Sequence, residues 1–360
     1  MAVSTKCCPL SPRSEAVPRH REGSENNNMD VDTLPLVNTP KSGRAPFGSY
    51  VALARFDHAS KHVFIIPGLI LAYALREPSL DNVVVSVLLG FVSAVAIASA
   101  NYVLNEWLDR DFDAHHPSKQ ARPAVQWSLS PFIVYLEYAT FAAVGLILAW
   151  QINTPFFWTS VVFLVSGLIY NVPPVRTKDL PYVDVISEAM NNPIRLTLGW
   201  TLIDPSTLPP SSIIIAYWSA GAFLMGAKRL SEYRDIIGAG GAERLHRYRR
   251  SYRYYNAESL TVSCFLYAMI SAFFISAFLV KYRLEYIVAM PFIAVLFSSY
   301  LWLALRRDSI AQRPERMFHS RRLVASLGIA VIALLITSFV DMPFLYDLSK
   351  ASFIPVDRLK

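Results

Sequence analysis

Asn101, Asn105, Asp109 and Asp113 recur at every fourth position where a long apolar run ends. On a helix each such step drifts by only about 40°, so the four side chains form one polar stripe. Amide and carboxylate oxygens in a row suit a hard cation such as Mg²⁺, which takes few protein carboxylates and shares its other positions with phosphate oxygens. Acids at the mouth of a membrane helix are expensive unless they bind something. Later in the chain Lys228, Glu232 and Asp235 stand at i, i+4 and i+7, again one helix face. Two acidic helix ends facing each other make chemical sense around a diphosphate. Carboxylates alone would repel it; Mg²⁺ bridging carboxylate to phosphate reverses the sign, and nearby cations neutralise the remainder. Lys119, Arg122, Arg176, Lys178 and Lys228 are available for that purpose.

The elements that must position these groups are membrane helices. Of 360 residues 53% are hydrophobic and 17% charged, and the mean hydropathy is +0.33. Apolar runs near twenty residues long then indicate an all-α, polytopic membrane bundle. About nine spans are expected, near 60–75, 83–104, 129–150, 156–171, 183–203, 211–229, 259–280, 285–305 and 322–343. The fifth carries Glu188, Asn191, Asn192 and Arg195, which at that depth should face the bundle interior. Residues 1–45 read as a disordered tail, 46–345 as the transmembrane domain and 346–360 as a short C-terminal tail. No hydrophobic stretch follows Met1, which argues against a cleaved secretory signal. Three cysteines make no disulfide framework, and Cys264 in an apolar run reads as a small hydrophobe.

The net charge of +7 resides in particular loops, so it points to topology and not to nucleic acid. The loops after the second, fourth, sixth and eighth spans are rich in Arg and Lys; the alternate ones hold only Arg76, Lys281 and Arg283. By the positive-inside rule the basic loops, the N-terminus and the polar clusters face the cytoplasm.

At these residues the chain resembles the UbiA superfamily of intramembrane prenyltransferases. The family's Asn-Asp-x-x-Asp-x-x-x-Asp signature is similar to Asn105-Glu-Trp-Leu-Asp109-Arg-Asp-Phe-Asp113, with Glu106 at the second position. Tyr170 to Lys178 resembles the family's Tyr-Ser-x-Pro-Pro-x-Arg-x-Lys loop, with Asn171 for Ser; Lys228 to Asp235 departs from the usual second acidic motif. The resemblance spans about residues 50–340. It implies a nine-span bundle around a central cavity, with Mg²⁺ between the acidic helix ends. Asn105, Asp109 and Asp113 would hold one ion, and Glu232 with Asp235 a second. Asp109, Asp113, Glu232 and Lys228 would carry catalysis, and Lys119, Arg122, Arg176, Lys178, Arg195 and Lys61 would bind the diphosphate. Segments His116 to Pro123, Gly226 to Glu232 and Arg55 to Lys61 are also similar to the polyprenyl-phosphate phosphoribosyltransferase branch.

Two transfer reactions therefore stand open, each releasing pyrophosphate. One moves an isoprenoid from a prenyl diphosphate; the other moves phosphoribose from phosphoribosyl diphosphate to a polyprenyl phosphate. A transporter or lipid-binding protein with a cation site is the alternative of another class. Transporters place polar interruptions near the bilayer midplane, whereas these acids lie at helix ends, which favours an enzyme.

Overall fold

The computed structural model describes residues 43–76, 83–116, 119–306 and 320–349. Residues 1–42 of the expected tail, with Cys7 and Cys8, lie outside them. So do residues 350–360 and the basic residues Arg307, Arg313 and Arg316. The described residues form helices joined by turns and loops, without strands.

A short helix α1 (Phe47–Val51) leads through 3-10 turns into α2 (Ile66–Arg76), and α3 follows (Val83–Asp113). After α4 (Pro123–Gln126) come the paired α5 (Pro131–Ile152) and α6 (Thr154–Asn171). Pro131 opens α5, where its missing N–H costs nothing, and the Asn153 side chain caps α6 by accepting from the Phe156 N–H. Then come α7 (Val183–Ala189), α8 (Asn191–Ile203) and the long α9 (Ser211–Tyr248). The remainder is α10 (Ala257–Tyr282), α11 (Met290–Ala304), α12 (Arg321–Phe339) and α13 (Pro343–Ser349). Asn256 and Ser259 form a capping box at the start of α10.

Seven stretches of the described residues are long and apolar enough to cross a membrane: Phe47–Arg76, α3, α5, α6, α10, Leu284–Ala304 and α12. They correspond to seven of the nine expected spans, so the count of nine is not reproduced by length and hydropathy. The fifth span is two short helices, α7 and α8, broken at Met190; the sixth is the first half of α9. The outward faces expose Val84, Leu88, Trp150, Phe265, Phe273 and Ile332, as a bundle solvated by lipid does.

Although short, α8 is seated deep in the bundle. A Cβ on Gly68 of α2 would lie 2.0 Å from the Leu196 carbonyl oxygen, and one on Gly199 would lie 2.1 Å from that of Ile65. Only reciprocal glycines let these two backbones touch. One apolar core gathers Ile65, Ile97, Phe156, Phe163, Ile194 and Leu198. A second gathers Val185, Phe223, Cys264, Tyr267 and Tyr300. Of the polar residues picked out above, Asn105, Asp109 and Asp113 lie at the end of α3, Arg176 and Lys178 in the loop after α6, Glu188 on α7, and Lys228, Glu232 and Asp235 midway along α9.

Candidate active site

The last turns of α3 supply Asn105, Glu106, Asp109 and Asp113. Asn101, the first member of the stripe, is used for packing: its amide donates to the Phe163 carbonyl at 3.0 Å, against Gly167 of α6. Further along, Asp109 meets the loop that follows α6. Its Oδ1 lies 2.6 Å from Lys178 Nζ and 2.8 Å from Arg176 Nη2. Lys178 also donates to Asn171 Oδ1 at 2.8 Å, and Asn105 donates to the same oxygen at 2.5 Å. Asn105, Asp109, Asn171, Arg176 and Lys178 thus form one hydrogen-bonded group drawn from two segments. Burial pushes the Lys178 ammonium down to about 8, against the opposing pull of Asp109.

Asp113 is held from the other side. Arg122 reaches it at 2.5 Å and Lys119 at 3.5 Å, and Arg122 and Arg55 each lie 3.5 Å from Glu106 Oε1. Glu106 is buried and its other oxygen, Oε2, has no partner. The backbone around this group is strained. Arg55, Arg176 and Tyr182 have φ of 50°, 29° and 64°, and they are the non-glycine residues with positive φ among those described. Such conformations cost about 1–3 kcal/mol each and collect at sites where the surroundings hold them.

The second acidic end is built around Arg229 of α9, which is 1% exposed. Its guanidinium binds Asp184 at 3.1 Å, Glu232 at 3.2 Å, and Glu188. Tyr252 donates to Glu232 at 2.8 Å, Tyr255 to Asp184 at 2.5 Å, and Tyr170 to Glu188 at 2.8 Å. Lys228 approaches Glu188 at 3.5 Å, while Asp235 is half-buried one turn beyond Glu232. At Gly241 (φ 72°) α9 breaks, a conformation glycine adopts without a Cβ clash, and its last turn brings Tyr248 and Arg249 back over the site.

Those two residues join the clusters. Lys119 donates to the Tyr248 hydroxyl at 2.5 Å, and Arg249 donates to the Tyr170 hydroxyl at 2.7 Å and to the Lys178 carbonyl at 3.3 Å. Burial lowers the Lys119 ammonium against the opposing pull of Asp113 and Glu232. The His116 ring lies 4.5 Å from that of Tyr248, tilted by 60°, and burial, with the charge of Lys119, takes its imidazole down to about 3. Lys61 is near, bonded to His58 at 2.9 Å and 5.8 Å from the centre of the Tyr102 ring. Arg195 stands apart from these ion pairs, against Tyr102 and the Phe163 ring.

The cations come from loops, from the 3-10 segment before α2 and from α9, and most are half-buried. Arg55, Lys61, Lys119, Arg122, Arg176, Lys178, Lys228, Arg229 and Arg249 face Glu106, Asp109, Asp113, Asp179, Asp184, Glu188 and Glu232, with Asp57 beside Arg55 and Asp235 one turn beyond Glu232. The loop cations of this group can exchange a carboxylate for the oxygens of a polyanion. Among the described residues no three His, Cys, Asp or Glu side chains converge as a ready-made metal cage. The donor chemistry fits Mg²⁺ nonetheless, because that ion commonly uses one or two carboxylates and completes its shell with substrate phosphate and water.

The sequence profile of the UbiA prenyltransferase family matches residues 63–322. The chain belongs to that family. Its fold agrees with solved UbiA structures. A UbiA homologue from Archaeoglobus fulgidus, described as bound to GPP and Mg²⁺, superposes with a TM-score of 0.59 at 20% identity, over 81% of this chain and 99% of that one. The same homologue bound to DMAPP and Mg²⁺ gives 0.60 over 81% and 100%. Among curated UbiA-type relatives, nodulation protein NoeC of Azorhizobium caulinodans is 27% identical over 211 residues, 58% of this chain and 65% of NoeC. A lycopene elongase/hydratase of Haloarcula japonica is 24% identical over 135 residues, 38% of this chain and 44% of the relative. The matched region thus spans less than two thirds of either curated relative.

Within this UbiA site, sequence reasoning did not single out Arg229, Arg249, Tyr248, Tyr252, Tyr255 or Asp184. Glu188, expected to face the bundle interior, meets Arg229 there, and Asp184 is wholly buried under Arg229, Tyr255 and Ser251. The usable signal was that Asp184 and Glu188 stand one helical turn apart, as Asp109 and Asp113 do.

Proposed function

We propose that this chain transfers an isoprenoid group from a prenyl diphosphate to an acceptor within the membrane, releasing pyrophosphate. The observation that supports this reading best is the pairing of Asp109 with Lys178 and Arg176. A carboxylate of the family's first signature and two cations of its middle loop share one oxygen. In this reading the cations turn from carboxylate to phosphate when the donor enters. Arg176, Lys178, Lys119, Arg122 and Lys228 hold the diphosphate, with Lys61 at its edge. Their charge stabilises the leaving oxygens as the bond to C1 breaks, the preorganised electrostatics that commonly dominates rate enhancement. Asn105, Asp109 and Asp113 would hold one Mg²⁺, and Glu232 with Asp235 a second. Mg²⁺, when bound, supplies neutralisation of the phosphate charge. In this reading the site and the N-terminus face the cytoplasm, which the positive-inside rule supports through the basic loops.

A second reading, phosphoribosyl transfer to a polyprenyl phosphate, is favoured by Arg55 and Lys61, two cations from a separate segment of the chain. Arg55 and Lys61 add charge beyond what one diphosphate requires. The test offers detergent-purified protein two substrate pairs with Mg²⁺: geranyl diphosphate with aromatic acceptors, and phosphoribosyl diphosphate with a polyprenyl phosphate. Pyrophosphate release from the first pair alone is the expected result. Release from the second alone replaces the donor assignment, and release from neither overturns the transferase reading.

A further inference from the structure

One buried charge is left over by the diphosphate site. Arg195 sits on α8 within the apolar core of Ile65, Phe163, Ile194 and Leu198, and only 6% of it is exposed. Its electrostatic neighbours are the hydroxyls of Tyr102 and Tyr217, not a carboxylate. Tyr102 accepts a hydrogen bond from it, and the Asn191 carbonyl lies at a long 3.4 Å. The guanidinium carbon is 5.1 Å from the Phe163 ring centre, and Nε meets no acceptor. Beside it, His62 is 3% exposed and its Nδ1 is also without a partner. A guanidinium removed from water without a counter-charge is among the least favourable arrangements a bundle can hold. The Asp109 group has a carboxylate for its cations; here there is none.

Position defines what this centre can do. Tyr102 lies seven residues before Asp109 on α3, about 10 Å further along the helix and away from the loops. The ring of Tyr102 is shared, with Lys61 at 5.8 Å and Arg55 at 6.0 Å, so the two centres adjoin. A molecule with one anionic end and an apolar body satisfies both the orphaned donors and the walls of Phe163, Ile194 and Leu198. We propose that Arg195, with Tyr102 and His62, binds the anionic group of the acceptor, a carboxylate or a phosphate, separately from the donor's diphosphate. That this ligand is an acceptor rests on the transferase reading; that the site takes an amphipathic anion does not.

The test is therefore equilibrium binding without donor, on the detergent-purified full chain and its Arg195→Met and Arg195→Lys variants. Farnesyl phosphate and 4-hydroxybenzoate separate phosphate from carboxylate, with farnesol and 4-hydroxybenzamide as uncharged counterparts. At least one anion binds the unmodified chain more tightly than its neutral counterpart, and Arg195→Met weakens it roughly 30- to 100-fold, as truncating one partner of a buried charge pair does. Arg195→Lys retains part of that affinity. Geranyl diphosphate binding with Mg²⁺ stays within about twofold in Arg195→Met, and that variant melts at a higher temperature because an uncompensated charge is gone. The proposal is overturned if neither anion binds the unmodified chain, if Arg195→Met binds them equally, or if it loses the donor instead. A lower melting temperature would likewise overturn it, making Arg195 a packing residue. Should geranyl diphosphate bind to none of the proteins, the transferase reading fails while the anion result still decides this site.

Discussion

The two acidic helix ends use the same residue types in opposite ways. At the end of α3 the carboxylates Asp109 and Asp113 are the fixed partners, and cations from two loops come to them. At α9 the cation Arg229 is the fixed partner, and carboxylates from α7 and α9 close around it. The first arrangement can exchange: Lys119, Arg122 and Arg176 are 23%, 19% and 11% exposed and lie on loops that a ligand can approach. The core of the second cannot readily do so, since Arg229 and Asp184 are sealed and tied to Tyr252, Tyr255 and Ser251, while Lys228 at its edge is 23% exposed and remains open to a ligand. Charge placed at a rigid centre holds helices together, whereas charge placed on a loop remains available to a substrate.

Breaking the rigid centre should have the largest effect. Arg229→Met strands Asp184, Glu188 and Glu232 in a buried site, and removing one partner of such a cluster costs about 3–5 kcal/mol. The variant is expected to melt far below the unmodified chain or to aggregate in detergent, measured by thermal unfolding and size exclusion. Asp109→Ala should do the reverse, leaving the fold intact while pyrophosphate release falls on the order of 10³-fold, as for loss of a group aimed at transition-state charge. Equal destabilisation by the two variants would erase the distinction between the ends.

A smaller effect sharpens it. Lys178, brought to about 8 by burial, carries its charge below that pH and loses it above. Donor affinity therefore falls as pH rises from 7 to 9, by roughly tenfold at the upper limit, since each pH unit above the pKa removes the binding form in proportion. Lys178→Met should bind weakly with a flat profile over that interval, read from donor titrations at each pH. Smallest is Tyr252→Phe, which removes the 2.8 Å bond to Glu232 and should cost about 1 kcal/mol of stability, read by thermal unfolding.

The end of α3 was legible in the sequence because its period is local. Four polar residues at fixed spacing need only a helix to align them, and Asp109, Lys178, Arg176, Arg122 and Lys119 do assemble. The Arg229 centre was not legible, because its partners come from positions far apart in the chain. Arg229 also lies where the basic loops make any arginine look topological, and Tyr248, Tyr252 and Tyr255 follow no spacing that ties them to Asp184 or Glu232. Seven spans were visible as apolar runs. The region of α7, α8 and α9 defied hydropathy because its polar residues are turned inward, onto Arg229 and around Arg195. Asn101 illustrates the limit of pattern alone: it shares the spacing of Asp109 and Asp113 yet packs against Gly167.

The most direct measurement is equilibrium binding of geranyl diphosphate to the unmodified chain and to Asp109→Ala, each with Mg²⁺ and with a chelator. The exchangeable end predicts that Mg²⁺ tightens binding at least about tenfold in the unmodified chain, as bridging a carboxylate to phosphate requires, and has little effect in the variant. Binding that ignores both the ion and the substitution would contradict the assignment of this helix end to the diphosphate.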